Sequence, residues 1–328
     1  MQPLMRVEDL KVHFPVRNQG LTSNKLILRA VDGVSFDIQQ GETLAVVGES
    51  GCGKSTTGNA LLGLTPVTSG RVFFDGDEIS AIPAGQRSDY WKDIQAVFQD
   101  PVAALNPRRT IGKSIGEPLR ILGRSVGSEN ARVSEVMELV GLQQSHRDRF
   151  PNELSGGQRQ RAVIARALAT GPKMIICDEP VSALDVSIQS QILNLLLDLQ
   201  KKLDLTLLFI SHDLSVVRHI ADRILVMYLG QIVEEADATQ LFDTPRHPYT
   251  QALLSAVLVP DPCVEQGRGR KILEGELPSP LSVFQGCAFA SRCPLRESQC
   301  ELNRPKMVEL EAEHKVRCLV REREAEPI

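Results

Sequence analysis

The sequence predicts an α/β fold built on a mostly parallel sheet, and three observations carry that expectation. Short, uninterrupted apolar runs recur as Leu44-Ala45-Val46-Val47, Met174-Ile175-Ile176-Cys177 and Leu207-Leu208-Phe209-Ile210. Each is too short for a helix and too continuous for a strand with one wet face, so each suits a strand covered on both sides. Between them lie stretches with helical spacing, clearest from Ile188 to Leu203, where Ile192, Leu195, Leu196 and Leu199 share a face. Strand and helix in alternation lay helices over a parallel sheet.

Taken in order, residues 27–49 read as two strand patterns, ILRAVDGVSFDI and ETLAVVG, with Gly41 in the turn between them. Residues 106–170 carry long helical patterns and little strand character, which predicts a helical insertion into the sheet core. Near residue 240 the texture changes, with Pro245, Pro248, Pro260, Pro262, Pro278 and Pro280 breaking the chain and GRGRK at 267–271 reading as an exposed loop. The expected division is therefore a main domain over residues 1–240, with its helical subdomain at about 106–170, and a C-terminal extension over 241–328. A chain of 328 residues exceeds the usual domain of about 100–200 residues, which suits one large and one smaller unit.

Composition narrows the function. A net charge of −4 gives no basic footprint, so no nucleic-acid partner is expected. The start, MQPLMRVEDLKVHF, lacks the apolar core of a signal peptide, and no run approaches the roughly 20 apolar residues that cross a bilayer. The expectation is a cytosolic protein, or one held to a membrane only through partners. In that reducing compartment the seven cysteines are not expected to form structural disulfides.

The chemistry begins at Gly48-Glu49-Ser50-Gly51-Cys52-Gly53-Lys54-Ser55, followed by Thr56, which matches G-x-x-x-x-G-K-[ST] after a predicted strand and before a predicted helix. Glycines let such a loop curl so that its N–H groups face phosphate oxygens; Lys54 reaches the β- and γ-phosphates, and the Ser55 hydroxyl ligates Mg²⁺. The helix that follows adds its positive end. Met174 to Glu179 is an apolar strand ending in two acids, a costly arrangement unless a cation or a function pairs them. Asp178 fits the Mg²⁺-holding acid of phosphate-loop NTPases, and Glu179 is then placed to polarise the attacking water as general base. In Leu154-Ser155-Gly156-Gly157-Gln158, Ser155 is a good N-cap and the glycines expose helix-end N–H groups to an anion.

A phosphate loop, then LSGGQ, then an apolar strand ending in Asp-Glu resembles the nucleotide-binding domain of ABC transporters, from residue 5 to about 240. The resemblance implies a RecA-like phosphate-loop NTPase core, with an antiparallel β subdomain and a helical subdomain that carries the signature motif. It implies ATP and Mg²⁺ as cofactors, with Ser55, Gln99 and Asp178 around the metal. It also implies that Ser155, Gly156, Gly157 and Gln158 contact the γ-phosphate of ATP on an opposite ATPase subunit, and that Asp185 in SALD lies at that interface. Gln99 in VFQDP resembles the glutamine that senses Mg²⁺ and water and faces the membrane subunit, and His212 in FISHD the histidine that clamps the γ-phosphate. Phe14 lies where the family puts an aromatic against adenine; a core position is the alternative.

Two features narrow the resemblance. The stretch RHPYTQALLSA at 246–256, with VGESGCGKST, DPVAALNPR and DEPVSALDVSIQ, is similar to dipeptide and oligopeptide importer ATPases, with the dipeptide importers the nearer branch. That implies a heterodimer with a second ATPase, two transmembrane permease subunits, indirectly an extracytoplasmic peptide-binding protein, and a place on the cytoplasmic face of the cell membrane. Oligopeptides, nickel and glutathione are alternative cargoes. The second feature is Cys287-x5-Cys293-x6-Cys300-x17-Cys318. Four thiolates so spaced suit Zn²⁺ or an iron–sulfur cluster, and the spacing does not choose. The importer resemblance, with CAFASRCP as its local signature, implies a [4Fe–4S] cluster. Cys263 falls outside the spacing. A non-transport ABC ATPase working on DNA or ribosomes is disfavoured, since this chain has one cassette and no long coiled-coil insertion. An ATP binder without turnover is disfavoured by Glu179 and His212.

Overall fold

The structure is a computed structural model that describes residues 2–16, 26–83, 86–123, 128–256 and 275–325. The chain opens with β1 (Met5–Val16), β2 (Leu26–Ile38), β3 (Thr43–Val47), α1 (Lys54–Leu61), β4 (Ser69–Phe74), β5 (Asp77–Glu78), α2 (Ser88–Asp93) and β6 (Ile94–Val97). A helical stretch follows, with α3 (Pro101–Ala104), α4 (Ile111–Ile115), α5 (Glu117–Ile121), α6 (Glu129–Leu139) and α7 (Gly156–Leu168). The chain then returns through β7 (Met174–Asp178), α8 (Val186–Leu203), β8 (Thr206–Ile210), α9 (Leu214–Ile220), β9 (Arg223–Tyr228), β10 (Gln231–Asp237), α10 (Ala238–Asp243) and α11 (Pro248–Ser255). It ends with α12 (Gln299–Leu302), β11 (Val308–Glu311), β12 (His314–Val316) and α13 (Leu319–Ala325).

The main sheet has the order β11-β12-β10-β9-β3-β8-β7-β6. Its five strands from β9 to β6 are parallel, and β10, β12 and β11 close one side antiparallel. A second, antiparallel sheet has the order β2-β1-β4-β5. The three apolar runs of the sequence are β3, β7 and β8, and β3 and β8 are buried at every position.

Side-chain alternation along these strands divides the core in two. Ala45, Val47, Ile175, Cys177, Leu207 and Phe209 face the helical layer with Val163, Ile164 and Leu196. Leu44, Val46, Met174, Ile176, Leu208 and Ile210 face the antiparallel sheet with Val7, Val31 and Phe36. A strand with period two and apolar residues on both faces must be covered twice, and here it is. Each Val, Leu, Ile, Phe or Met among these side chains contributes about 1.5–3 kcal/mol on burial. The two cores hold β3 rigidly, and the phosphate loop springs from its carboxyl end.

The region after residue 240 is joined to this sheet rather than standing apart from it. β12 pairs with β10, matching Glu234 to Val316 and Glu235 to Lys315, and β11 lies outside it. Glu234 is fully buried and accepts from Arg246 N (2.6 Å), His247 N (3.0 Å) and His314 Nε2 (2.7 Å). One carboxylate thus ties β10, the RHPYTQALLSA segment and β12 together. Pro248 occupies the first turn of α11, where its missing N–H leaves no gap, and His247 Nδ1 caps the helix by accepting from Tyr249 N at 3.1 Å.

Candidate nucleotide site

The loop between β3 and α1 curls through Gly48, Gly51 and Gly53, with φ of 152°, 79° and 92°. Two of these glycines are required by close approach as well as by backbone angle. A Cβ on Gly48 would run into the Met227 carbonyl oxygen, and one on Gly53 into that of Ala30. The loop therefore rests on β9 and β2, and Cys52 O accepts from Gly230 N at 3.1 Å to fix its other side. Lys54 is the first residue of α1, and its Nζ donates to Gly48 O at 2.8 Å and Glu49 O at 3.0 Å. The ammonium is thereby held inside the curl, where a polyphosphate would compete for it.

A cleft of about 410 Å³ opens beside the loop, lined by Ser50, Gly51, Gly53, Lys54, Ser55 and Thr56 on one side and by Phe14, Leu28, Arg29, Ala30 and Leu229 on another. Gln99, Glu179 and Pro280 complete it. Phe14 is 36% exposed at the lip of this cleft, so it is no core residue. Pro280 was not anticipated from the sequence, because the chain must travel through the whole sheet before it reaches this wall.

The two acids at the end of β7 take different partners. The Ser55 hydroxyl donates to Asp178 Oδ1 at 2.8 Å, joining the phosphate loop to β7. Burial raises the Asp178 pKa, Ser55 opposes the rise, and the neighbouring Glu179 adds to it. A carboxyl and a hydroxyl facing each other at the foot of a phosphate loop form an oxygen donor pair suited to Mg²⁺. Glu179 sits in left-handed backbone at φ 49°, and its N–H donates to Ile210 O at 2.9 Å. That uncommon conformation for a side chain of this size turns the carboxylate out of the strand line. Gln99 Nε2 donates to Glu179 Oε2 at 3.0 Å, and His212 Nδ1 lies 2.9 Å from Oε1. Three chain segments, β6, β7 and β8, deliver these groups from neighbouring positions at one end of the sheet.

Cys52 and Cys177 are buried, and burial pushes their thiols up to about 11 and 12. They are inert packing groups beside the site.

The signature segment lies elsewhere. Ser155 caps α7 by accepting from Gln158 N at 3.3 Å, and Gln158 Oε1 accepts in return from Ser155 N at 3.0 Å, a capping box. Gly156 meets Leu184 and Gly157 meets Ile188, so this turn and the loop at Asp185 form one surface at the start of α8. Ser155, Gly156, Asp185 and Val186 are exposed, and none of the signature residues lines the cleft of their own chain.

The four C-terminal cysteines lie within electrostatic reach of one another. Cys287 N donates to Cys300 O at 2.7 Å. Burial pushes the Cys287 and Cys293 thiols up to about 11, and the other cysteines of the set push the same way. Cys318 is raised by burial and, more weakly, by Cys300. Among the described residues no group of three or more His, Cys, Asp or Glu side chains is arranged to hold a metal ion, so the expected cluster or zinc site is not formed by this arrangement of side chains. Cys263 lies outside the described residues.

Residues 31–182 match the ABC transporter family, and residues 233–300 match the oligopeptide/dipeptide transporter C-terminal region. The chain is 49% identical over 320 residues to the oligopeptide transport ATP-binding protein OppF of Salmonella typhimurium, covering 96% of each. It is 49% identical over 309 residues to the dipeptide transport ATP-binding protein DppF of Escherichia coli, covering 93% of this chain and 91% of that one. The chain belongs to the ABC transporter ATP-binding family. It is an ATPase of that family, and its fold is the family's fold. The dimeric ATP-binding cassette MJ0796 in a post-hydrolysis state, bound to ADP and Pi, superposes with a TM-score of 0.63 at 29% identity, covering 71% of this chain and 98% of that one. The cassette cbiO1 from Clostridium perfringens, part of the transporter complex cbiONQ, gives 0.63 at 27%, covering 74% and 92%. Among the described residues no helix is long and apolar enough to cross a membrane.

Proposed function

We propose that this chain is the ATP-hydrolysing subunit of an importer that takes up dipeptides or other short peptides, with oligopeptides the second choice of cargo. The observation that carries the hydrolytic part is the Glu179 carboxylate, held on one oxygen by Gln99 and on the other by His212, beside the Ser55–Asp178 pair. The peptide part is supported by the similarity to OppF and DppF along nearly the whole chain.

Lys54 and the loop N–H groups bind the triphosphate, and Phe14 at the cleft lip stacks on the base. Ser55 and Asp178, with Gln99 beside them, would hold Mg²⁺, which neutralises charge on the β- and γ-phosphates. Glu179 takes a proton from water as a bond forms to the γ-phosphorus and the bond to the bridging oxygen breaks, giving ADP and phosphate. With Nδ1 turned to Glu179, His212 presents its Nε2 edge to the γ-phosphate as the clamp.

The exposed turn at Ser155 and the 78% exposed Val186 form the face that we assign to a second, homologous ATPase subunit. A groove of about 570 Å³ between β6 and the helical segment, lined by Leu62, Leu64, Trp91, Phe98, Ala104 and Val163, receives a cytoplasmic segment of a permease subunit. Phe98 precedes Gln99 in the chain, so a body seated there acts directly on the group that orients Glu179. With these partners we assign the protein a peripheral position on the cytoplasmic face of the membrane, with a peptide-binding protein reached only through the permeases. The C-terminal cysteines Cys287, Cys293, Cys300 and Cys318 are assigned to a [4Fe–4S] cluster, with zinc the alternative occupant; the support is their clustering in the C-terminal segment.

Glu179→Gln tests the central role. Turnover in the assembled transporter should fall about 10²–10⁴-fold, the range for a lost general base, while ATP binding persists. Hydrolysis near the wild-type rate would reject it.

A further inference from the structure

The cysteine-bearing segment touches the phosphate loop itself. Arg292 lies between Cys287 and Cys293 in sequence, and its Nη1 sits 3.2 and 3.1 Å from the two carboxylate oxygens of Glu49, the second residue of the loop. The Arg292 side chain is only 9% exposed, so water screens this pair weakly. A second contact reaches the same residue: Glu49 N donates to the Tyr249 hydroxyl at 2.9 Å. Tyr249 is fully buried, with its ring 4.7 Å from Tyr228 and 5.6 Å from Phe289, three residues before Arg292. Tyr228 ends β9, Tyr249 belongs to α11, and Phe289 belongs to the cysteine segment, 5.2 Å from Tyr228 and edge-on to it.

Glu49 is a problem for an anion site unless it is answered. A carboxylate within a loop that must receive a triphosphate repels it, and the repulsion is stronger where water is excluded. Arg292 neutralises that charge and, with Tyr249, fixes both the backbone and the side chain of Glu49. The Glu49 carbonyl is in turn one of the two acceptors that hold Lys54.

We propose that Arg292 and Tyr249 are positioning residues of the nucleotide site, through which the cysteine segment sets the affinity of the phosphate loop for ATP. The proposal rests on the nucleotide-site reading above, and only its extension to cluster loss rests on the metal. Loss of whatever holds Cys293 would release its neighbour Arg292 and weaken nucleotide binding at a distance from the nucleotide.

Equilibrium titration of the full chain with a fluorescent ATP analogue tests this. Arg292→Gln should weaken binding about tenfold, a change of about 1.4 kcal/mol. In a Glu49→Gln background the same substitution should lose less than about threefold, because the charge it opposed is gone. Arg292→Lys should recover most of the affinity. Tyr249→Phe, which keeps the ring packing and removes only the acceptor, should weaken binding about threefold with the melting temperature retained. In the assembled transporter Arg292→Gln should raise KM and leave kcat nearly unchanged, the split expected of lost ground-state binding. An Arg292→Gln affinity within twofold of wild type, or an equal loss in the Glu49→Gln background, would overturn the proposal. Lys54→Ala serves as the control: unchanged affinity there would sink the nucleotide site itself. Iron content of Cys293→Ser tests the cluster independently of either.

Discussion

Two glutamates in this molecule are each held by a histidine, and they sit in opposite surroundings. Glu179 and His212 lie 2.9 Å apart with side chains 16% and 56% exposed. Glu234 and His314 lie 2.7 Å apart and are both fully buried. The chemistry of the contact is the same. Access to water separates them, since Glu179 opens on a cleft where a substrate water can arrive, whereas Glu234 spends its oxygens on three internal donors. A buried carboxylate with both oxygens engaged is a brace, and one left reachable is what the proposed general base requires.

Breaking the buried member should have the largest effect on stability. Glu234→Ala leaves His314 and two backbone donors without an acceptor, and denaturant unfolding should show a loss of about 3–5 kcal/mol. Glu179→Gln should leave the unfolding midpoint where it was. A large destabilisation by Glu179→Gln would erase the distinction. The pH dependence sharpens it further. Burial holds the His247 pKa down at about 4, against 6.5 for the free side chain. The unfolded chain therefore binds the extra proton between those values, and stability falls as pH drops from 6.5 toward 4, by about 3 kcal/mol in all. His247→Asn keeps a capping acceptor and does not titrate, so the difference between its pH–stability curve and that of the wild type isolates this effect. His212→Ala should cut turnover about tenfold to hundredfold, equivalent to about 1.4–2.7 kcal/mol in the barrier, with unfolding unaffected. The smallest effect belongs to the exposed face: Ser155→Ala removes a helix cap and should cost about 1 kcal/mol in thermal unfolding.

How far the sequence reveals this site follows from how the site is made. Residues 48–56 are contiguous, because a phosphate loop needs its glycines, lysine and hydroxyl within one turn, so composition and order expose it. Asp178 and Glu179 are legible because a buried apolar strand ends on them. Arg292 and Tyr249 are silent in the sequence, since their shared partner Glu49 lies 243 and 200 residues away and nothing local to RHPYT or CAFASRCP indicates it. The fold shows the same divide. The parallel strands announce themselves by unbroken apolar runs. β11 and β12 read Val-Glu-Leu-Glu and His-Lys-Val, too short and too charged to signal membership of the main sheet. The proline-rich chain before them suggests a separate extension, whereas their backbone groups complete the edge of β10.

That edge has a consequence for synthesis. β10 is finished at Asp237, but its outer neighbour begins only at His314. At about 5–20 residues per second, the roughly 80 intervening residues keep the outer row of β10 N–H and C=O groups unpaired for about 4–16 s on the ribosome. During that interval the nascent chain presents an open strand edge of the kind that pairs with other chains. A gene shortened at the compositional break near residue 240 would make that interval permanent, and its product should aggregate where the full chain stays dispersed.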